Sequence, residues 1–184
     1  GTASQCGSIT AACLAVNLVC DKKTAKKIVL DIFTWYEKTS LPTPIAQKMA
    51  NEKLFTVEKY KTNEILIPTI ANSPLCHISV ERFCKTNGVS SGSKQRAERC
   101  ARLSSDIAHF TAVQLNKHVD SKYESDYAMS AAATSCRECH AKGKEMDQGG
   151  WSRGKMDCQP CHSTDHINVS EGHYVGFEKK VTDY

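Results

Sequence analysis

Cys136, Cys139 and His140 spell Cys-x-x-Cys-His, and Cys158, Cys161 and His162 spell it again. That pentapeptide is the attachment site of a c-type haem. Two thiols add across the two vinyl groups of the porphyrin, and the adjacent imidazole becomes the proximal ligand of the iron. Two intervening residues let one helical turn present both sulfurs to one ring edge. The spacing therefore predicts two c-type haems, attached through Cys136, Cys139, Cys158 and Cys161, with His140 and His162 as proximal ligands.

The same four cysteines also form C-x2-C-x18-C-x2-C, which lies within zinc-ribbon spacing. A zinc site of four thiolates has no use for the two histidines. With 7 His in 184 residues, chance placement in both slots is about 1 in 700. Haem is favoured over zinc on that ground. A pair of disulfides leaves the histidines equally unexplained.

Six cysteines remain: Cys6, Cys13, Cys20, Cys76, Cys84 and Cys100. Cys13 and Cys20 share a helical face with Ile9 and Val16, which favours packing as small hydrophobes. Cys6 precedes that helix, and Cys76 lies in the first turn after Ser73-Pro74. Free backbone N–H groups and the helix dipole favour a thiolate at both places. Cys100 lies on the inward face of a long helix. Cys84 is eight residues beyond Cys76, about 12 Å along the axis, too far for both to bind one iron. The candidate ligands of an iron–sulfur centre are Cys6, Cys76 and Cys100, with Cys84 next. On the residues alone, disulfides or packing account for these cysteines at least as well.

The sixth iron positions need distal ligands. His118 falls on the Cys100–Ile107 face, at the end of the long helix nearest the haem segment. His166 is too close to His162 to reach the far side of the same haem, which leaves the neighbouring haem or one in a partner subunit. These two are the expected distal ligands, with His109 and His173 in reserve. Met129, Met146 and Met156 are alternatives that would raise the potential, although packing is their simpler role.

The elements that must position these groups are helical, so the expected class is mainly α. A helix from Ser8 to Val19 has Ser8 as its N-cap and Ala11, Ala12 and Ala15 as a slim packing face. Asp21 caps a second helix with Ala25, Ile28, Ile32 and Tyr36 as its apolar stripe, and Pro42 and Pro44 end that segment. Residues 47–60 carry a weak helical pattern. The run Ile65-Leu66-Ile67-Pro68 offers no strand partner nearby. Ser73-Pro74 reads as N-cap and first helical residue of a helix stopping near Gly88. The long helix spans about Lys94 to His118, with Cys100, Leu103, Ile107 and Phe110 inward and Lys94, Arg96, Glu98, Arg99 and Arg102 making its opening polar. Residues 121–130 form a linker.

The expected division is a helical domain over 1–120 and a small, loop-rich dihaem segment over 121–184. The segment's main large apolar side chains are Trp151, Ile167, Val169, Val175 and Phe177, too few for a core of its own. Two porphyrins would serve as that core. Hydrophobic residues are 40% of the chain, and no run of eighteen apolar residues could span a membrane. The net charge of +4 is uneven: residues 121–184 hold 8 Lys+Arg against 10 Asp+Glu. Haem propionates would make that end more acidic, which favours a basic redox partner protein. Nucleic acid is not expected, because the lysines of the first part are interleaved with acids and no binding motif accompanies them.

Cys6-Gly7-Ser8-Ile9-Thr10-Ala11-Ala12 is similar to the Cys-Gly-rich helix opening of the C_GCAxxG_C_C proteins. Ser73 to Val80 and Ser93 to Leu103 look like the later cysteine segments of that family. A helical domain of this kind followed by two Cys-x-x-Cys-His motifs resembles the split-Soret cytochromes c of sulfate-reducing bacteria. The resemblance implies a homodimer with two haems per subunit clustered at one end. It also implies a non-haem iron–sulfur centre in the helical part, taken as [2Fe–2S]. The family's motif has an upstream cysteine segment that this sequence lacks, so the chain is expected to begin inside a domain.

The leading functional expectation is an electron carrier in an extracytoplasmic compartment such as the periplasm, because covalent haem attachment follows export. The competing expectation is a reductase of a small oxyanion, nitrite or nitrate, with one open haem position. A zinc-binding interaction module ranks third.

Overall fold

A computed structural model describes residues 4–54, 66–143, 150 and 152–158. These residues are mainly helical, with one two-stranded sheet. The chain divides into two compact units, Gly1–Ala128 and Met129–Tyr184.

In the first unit, α1 (Gly7–Val19) packs against α2 (Lys22–Lys38) and α5 (Lys94–Val119). Ile9 and Val16 of α1 meet Ala25, Ile28, Ile32 and Tyr36 of α2 and Leu103 and Ile107 of α5 in one core. Fully burying each of the isoleucines contributes about 1.5–3 kcal/mol. Trp35 stacks on Phe110 at the edge of that core, with ring centroids 4.5 Å apart.

The stripe expected on α2 is therefore the buried one. Asp21 caps it as anticipated, accepting from the Lys23 and Thr24 amides at 2.8 and 3.1 Å. The N-cap of α1 is Cys6 rather than Ser8. Ser8 lies inside the helix, where its hydroxyl bonds Ser104 of α5 at 2.7 Å.

The connection after α2 departs further from expectation. Pro44 does not close a segment; it opens α3 (Pro44–Asn51) from the first-turn position where proline costs no hydrogen bond. Thr43 caps α3, and its own amide and hydroxyl donate to the buried Asp106 of α5 at 2.8 and 2.5 Å. The remainder of the weak pattern over 47–60 runs into residues 55–60, outside the described ones. β1 (Ser40–Leu41) pairs antiparallel with β2 (Thr69–Ile70), placing Ser40 opposite Ile70 and Leu41 opposite Thr69. So short a ladder leaves no alternating pattern to detect in sequence.

The fourth helix, α4 (Cys76–Asn87), begins later than Ser73-Pro74 suggests. Leu75 is its N-cap, and the Ser73 hydroxyl accepts from the Leu75 amide at 3.2 Å, closing a turn just before the helix. Gly88 ends α4 in the left-handed conformation, φ 63°, as its position predicts.

The polar opening of α5 is largely internal. Glu98, Arg99 and Arg102 are buried, Arg102 completely. Arg102 pairs with Glu98 one turn earlier and donates to Gln47 of α3. Partnered charge is the condition under which such burial is tolerated. Beyond α5, Tyr123 and Ser125 donate to Asp31 of α2, the serine at 2.8 Å, so this stretch stays on the first unit.

The second unit opens with α6 (Ala131–His140), capped by Ser130, which accepts from the Ala133 amide at 3.0 Å. The described residues after it fold back on its C-terminal end. The Ser152 amide donates to the His140 carbonyl at 2.8 Å, and Arg137 donates to the Gly154 carbonyl at 2.5 Å.

Candidate functional site

The first attachment motif lies on α6. Cys136, Cys139 and His140 occupy positions i, i+3 and i+4, hence one helical face. Cys139 is exposed and Cys136 partly buried. Both thiols and the ring thus belong to the last helical turn, as attachment to one porphyrin edge requires. Cys158 of the second motif is also described, while Cys161 and His162 lie outside the described residues. The return of the chain onto α6 brings the Cys158 thiol against the Cys136 thiol. Burial, then the neighbouring Cys136, pushes the Cys158 thiol up from its ordinary value.

The second candidate site lies in the first unit. Residues 4–6 run antiparallel to residues 74–76: the Cys6 amide donates to the Pro74 carbonyl and the Cys76 amide to the Ser4 carbonyl, both at 2.9 Å. This short pairing sets the start of α1 beside the start of α4. Cys100, on the second turn of α5, comes within electrostatic reach of Cys76, and Cys84 within reach of Cys100. The four cysteines chosen from sequence thus lie within electrostatic reach of one another in the order Cys6, Cys76, Cys100, Cys84.

All nine cysteines among the described residues are free thiols, so the disulfide alternative has no support among them. Cys13 and Cys20 pack against the core, and burial raises both thiols, which fits the hydrophobic role. Cys76 departs from expectation. Its thiol is raised, not lowered: burial dominates, Cys6 and Cys100 add to it, and the Arg99 guanidinium only partly offsets them.

Among the described residues, no three His, Cys, Asp or Glu side chains converge tightly enough to hold a single metal ion. A binuclear cluster is wider than one ion, and its ligands attach to opposite irons, so a broad thiol set suits it better. The donor set is soft sulfur throughout, which matches an iron–sulfur centre and not a hard cation.

Sequence reasoning missed what surrounds these thiols. Tyr36 is completely buried, and its hydroxyl faces the Cys6 and Ser79 side chains without standard hydrogen-bond geometry to either. It lies beside Cys6, Ser79 and Arg99, and burial raises its pKa. Arg99 is 2% exposed. It donates from Nη2 to the Ser79 hydroxyl at 2.8 Å and sits 5.5 Å from the centre of the Phe83 ring. Its Nε has no partner. The available signals were slight: Tyr36 is the polar-tipped member of an apolar stripe, and Arg99 directly precedes Cys100.

Of the distal candidates, His118 is partly buried in the last turn of α5, within electrostatic reach of Asp21 before α2. His109 is exposed. His166, His173 and Met146 lie outside the described residues, as do Trp151, Ile167, Val169, Val175 and Phe177. Met129 and Met156 are partly buried.

No family model matches the chain. It is 35% identical over 165 residues to the split-Soret cytochrome c of Desulfovibrio desulfuricans (strain ATCC 27774), which covers 86% of this chain and 53% of that protein. The chain thus spans about half the length of the curated relative it matches. The fold matches a solved structure of a split-Soret cytochrome c from the same organism, described as having a novel iron centre. The TM-score is 0.73 and the identity 31%, over 95% of this chain and 68% of the other. Sequence and fold together make the chain a member of the split-Soret cytochrome c family.

Proposed function

We propose that the chain is an electron carrier with two covalent haems and a separate [2Fe–2S] centre. The observation that carries this is Cys136, Cys139 and His140 on one turn of α6, in a chain of this family. Cys136 and Cys139 would hold the first haem and Cys158 and Cys161 the second, with His140 and His162 as proximal ligands. When bound, such haems supply one-electron redox chemistry. The adjacency of Cys136 and Cys158 supports two closely spaced attachment edges.

His118 and His166 are the proposed distal ligands. Two histidines per iron leave no open position, which favours relay over reduction of nitrite or nitrate. The proposed ligands of the iron–sulfur centre are Cys6, Cys76, Cys84 and Cys100.

The working assembly is a homodimer in the periplasm that serves a basic partner protein. Support for the dimer comes from apolar surface on α1 and α5. Leu14, Leu18, Val19 and Val119 are all more than half exposed. A groove of about 600 Å³ also runs between the small residues of α1, Gly7, Ala11 and Ala15, and Ala108 and Ala112 of α5.

The deciding experiment counts haem and total iron per chain alongside optical and electron paramagnetic spectra. Two haems, a divided Soret band, low-spin iron and additional iron are expected. Carbon monoxide or nitrite binding to the undenatured reduced protein would overturn the relay reading. Two haems with no further iron would overturn the cluster.

A further inference from the structure

We propose that Tyr36 and Arg99 are positioning residues of the iron–sulfur centre, donating hydrogen bonds to its sulfur atoms and raising its reduction potential. The inference rests on the reading of Cys6, Cys76, Cys84 and Cys100 as iron ligands.

Two buried donors at one place lack a well-formed hydrogen bond. Nε of Arg99 on α5 has no partner, and the Tyr36 hydroxyl on α2 faces the Cys6 and Ser79 side chains without standard hydrogen-bond geometry to either, in side chains 2% and 0% exposed. A buried donor without an acceptor carries its full desolvation cost, so such groups are rare unless something absent completes them. Their surroundings say what that is. Tyr36 lies beside Cys6, and Arg99 lies within electrostatic reach of Cys76 and Cys84. Ser79 joins the two, accepting from Arg99 and lying next to Tyr36.

The sulfur atoms of a thiolate-held iron centre are acceptors, carry negative charge and would lie among these thiols, so they complete both donors. Phe83 stacks under the guanidinium and limits its freedom to turn elsewhere.

The sign of the effect follows from charge. Reduction adds an electron to the centre and makes its sulfurs better acceptors. A neutral hydroxyl donor and a fixed guanidinium both stabilise the reduced form more than the oxidised one. Hydrogen bonds to sulfur are among the levers that set cluster potentials.

The test uses the full haem-loaded protein carrying Tyr36→Phe, with Arg99→Gln as a second, independent variant. The cluster potential is followed by electron paramagnetic resonance during a redox titration. Each variant is expected to weaken reduction of the cluster about tenfold, a fall of 59 mV for a one-electron couple. Haem potentials should stay unchanged. Tyr36→Phe should keep the fold, because Phe fills the same space. A merely structural tyrosine would leave the potential where it is. An intact cluster with unchanged potential in either variant overturns the inference and leaves the cluster reading standing. Wild-type protein with two haems and no additional iron overturns both, and the iron count separates the two failures.

Discussion

Arg102 has no exposed surface, and its guanidinium is held between Glu98 and Gln47. Removing one partner of such a pair strands the other charge in the interior. Arg102→Ala should therefore cost about 3–5 kcal/mol in chemical denaturation. Replacing both partners, Arg102→Met with Glu98→Leu, should recover most of that loss, because no lone charge is left. Equal destabilisation in single and double variants would show that packing, not charge, is what Arg102 supplies. Spacing identifies the face of α5 that carries Leu103 and Ile107, but not that Arg99 and Arg102 are buried beside it. Burial of an arginine depends on partners from α3 and α4, which are distant in sequence.

At the scale of elements, the N-caps set where helices begin, and one of them titrates. The Asp21 carboxyl is held below its ordinary 3.8, chiefly by its bond with the Thr24 side chain and then by the Thr24 and Lys23 amides. A depressed carboxylate contributes stability above its unfolded value and loses it as pH falls through the folded one. Asn caps comparably but does not titrate. The stability advantage of wild type over Asp21→Asn should be present at neutral pH and vanish in acid, read from urea midpoints across the pH range. A constant gap would remove the titration from the account of α2. Asp21 was legible because capping is local. The true starts of α1 and α4 were not, because Ser8 is drawn to Ser104 and Ser73 closes a turn of its own.

For the whole molecule, the two attachment motifs are expected to act separately in haem loading and together in the spectrum. Cys136→Ser with Cys139→Ser should halve the haem per chain by pyridine haemochrome assay and remove the Soret splitting. A retained split band would place the coupling within other haem pairs, such as one formed across two subunits. The apolar surface of α1 makes a second prediction. Leu18 is 88% exposed, and Leu18→Glu should shift the protein from dimer to monomer in light scattering. An unchanged dimer would place the interface elsewhere.

The sequence by itself determined the haem chemistry, because Cys-x-x-Cys-His is a local pattern and one turn of α6 is enough to realise it. It also determined the mainly helical class and the stripe of Ala25, Ile28, Ile32 and Tyr36, because helical periodicity is written at short range. Only the tertiary structure decided which other cysteines are neighbours. Cys6, Cys76, Cys84 and Cys100 come from three helices, and the pairing of residues 4–6 with 74–76 that unites two of them has no local signature. The same holds for Tyr36 and Arg99. The Tyr36 hydroxyl and Nε of Arg99 come to lie buried beside those thiols only once α2, α4 and α5 have packed.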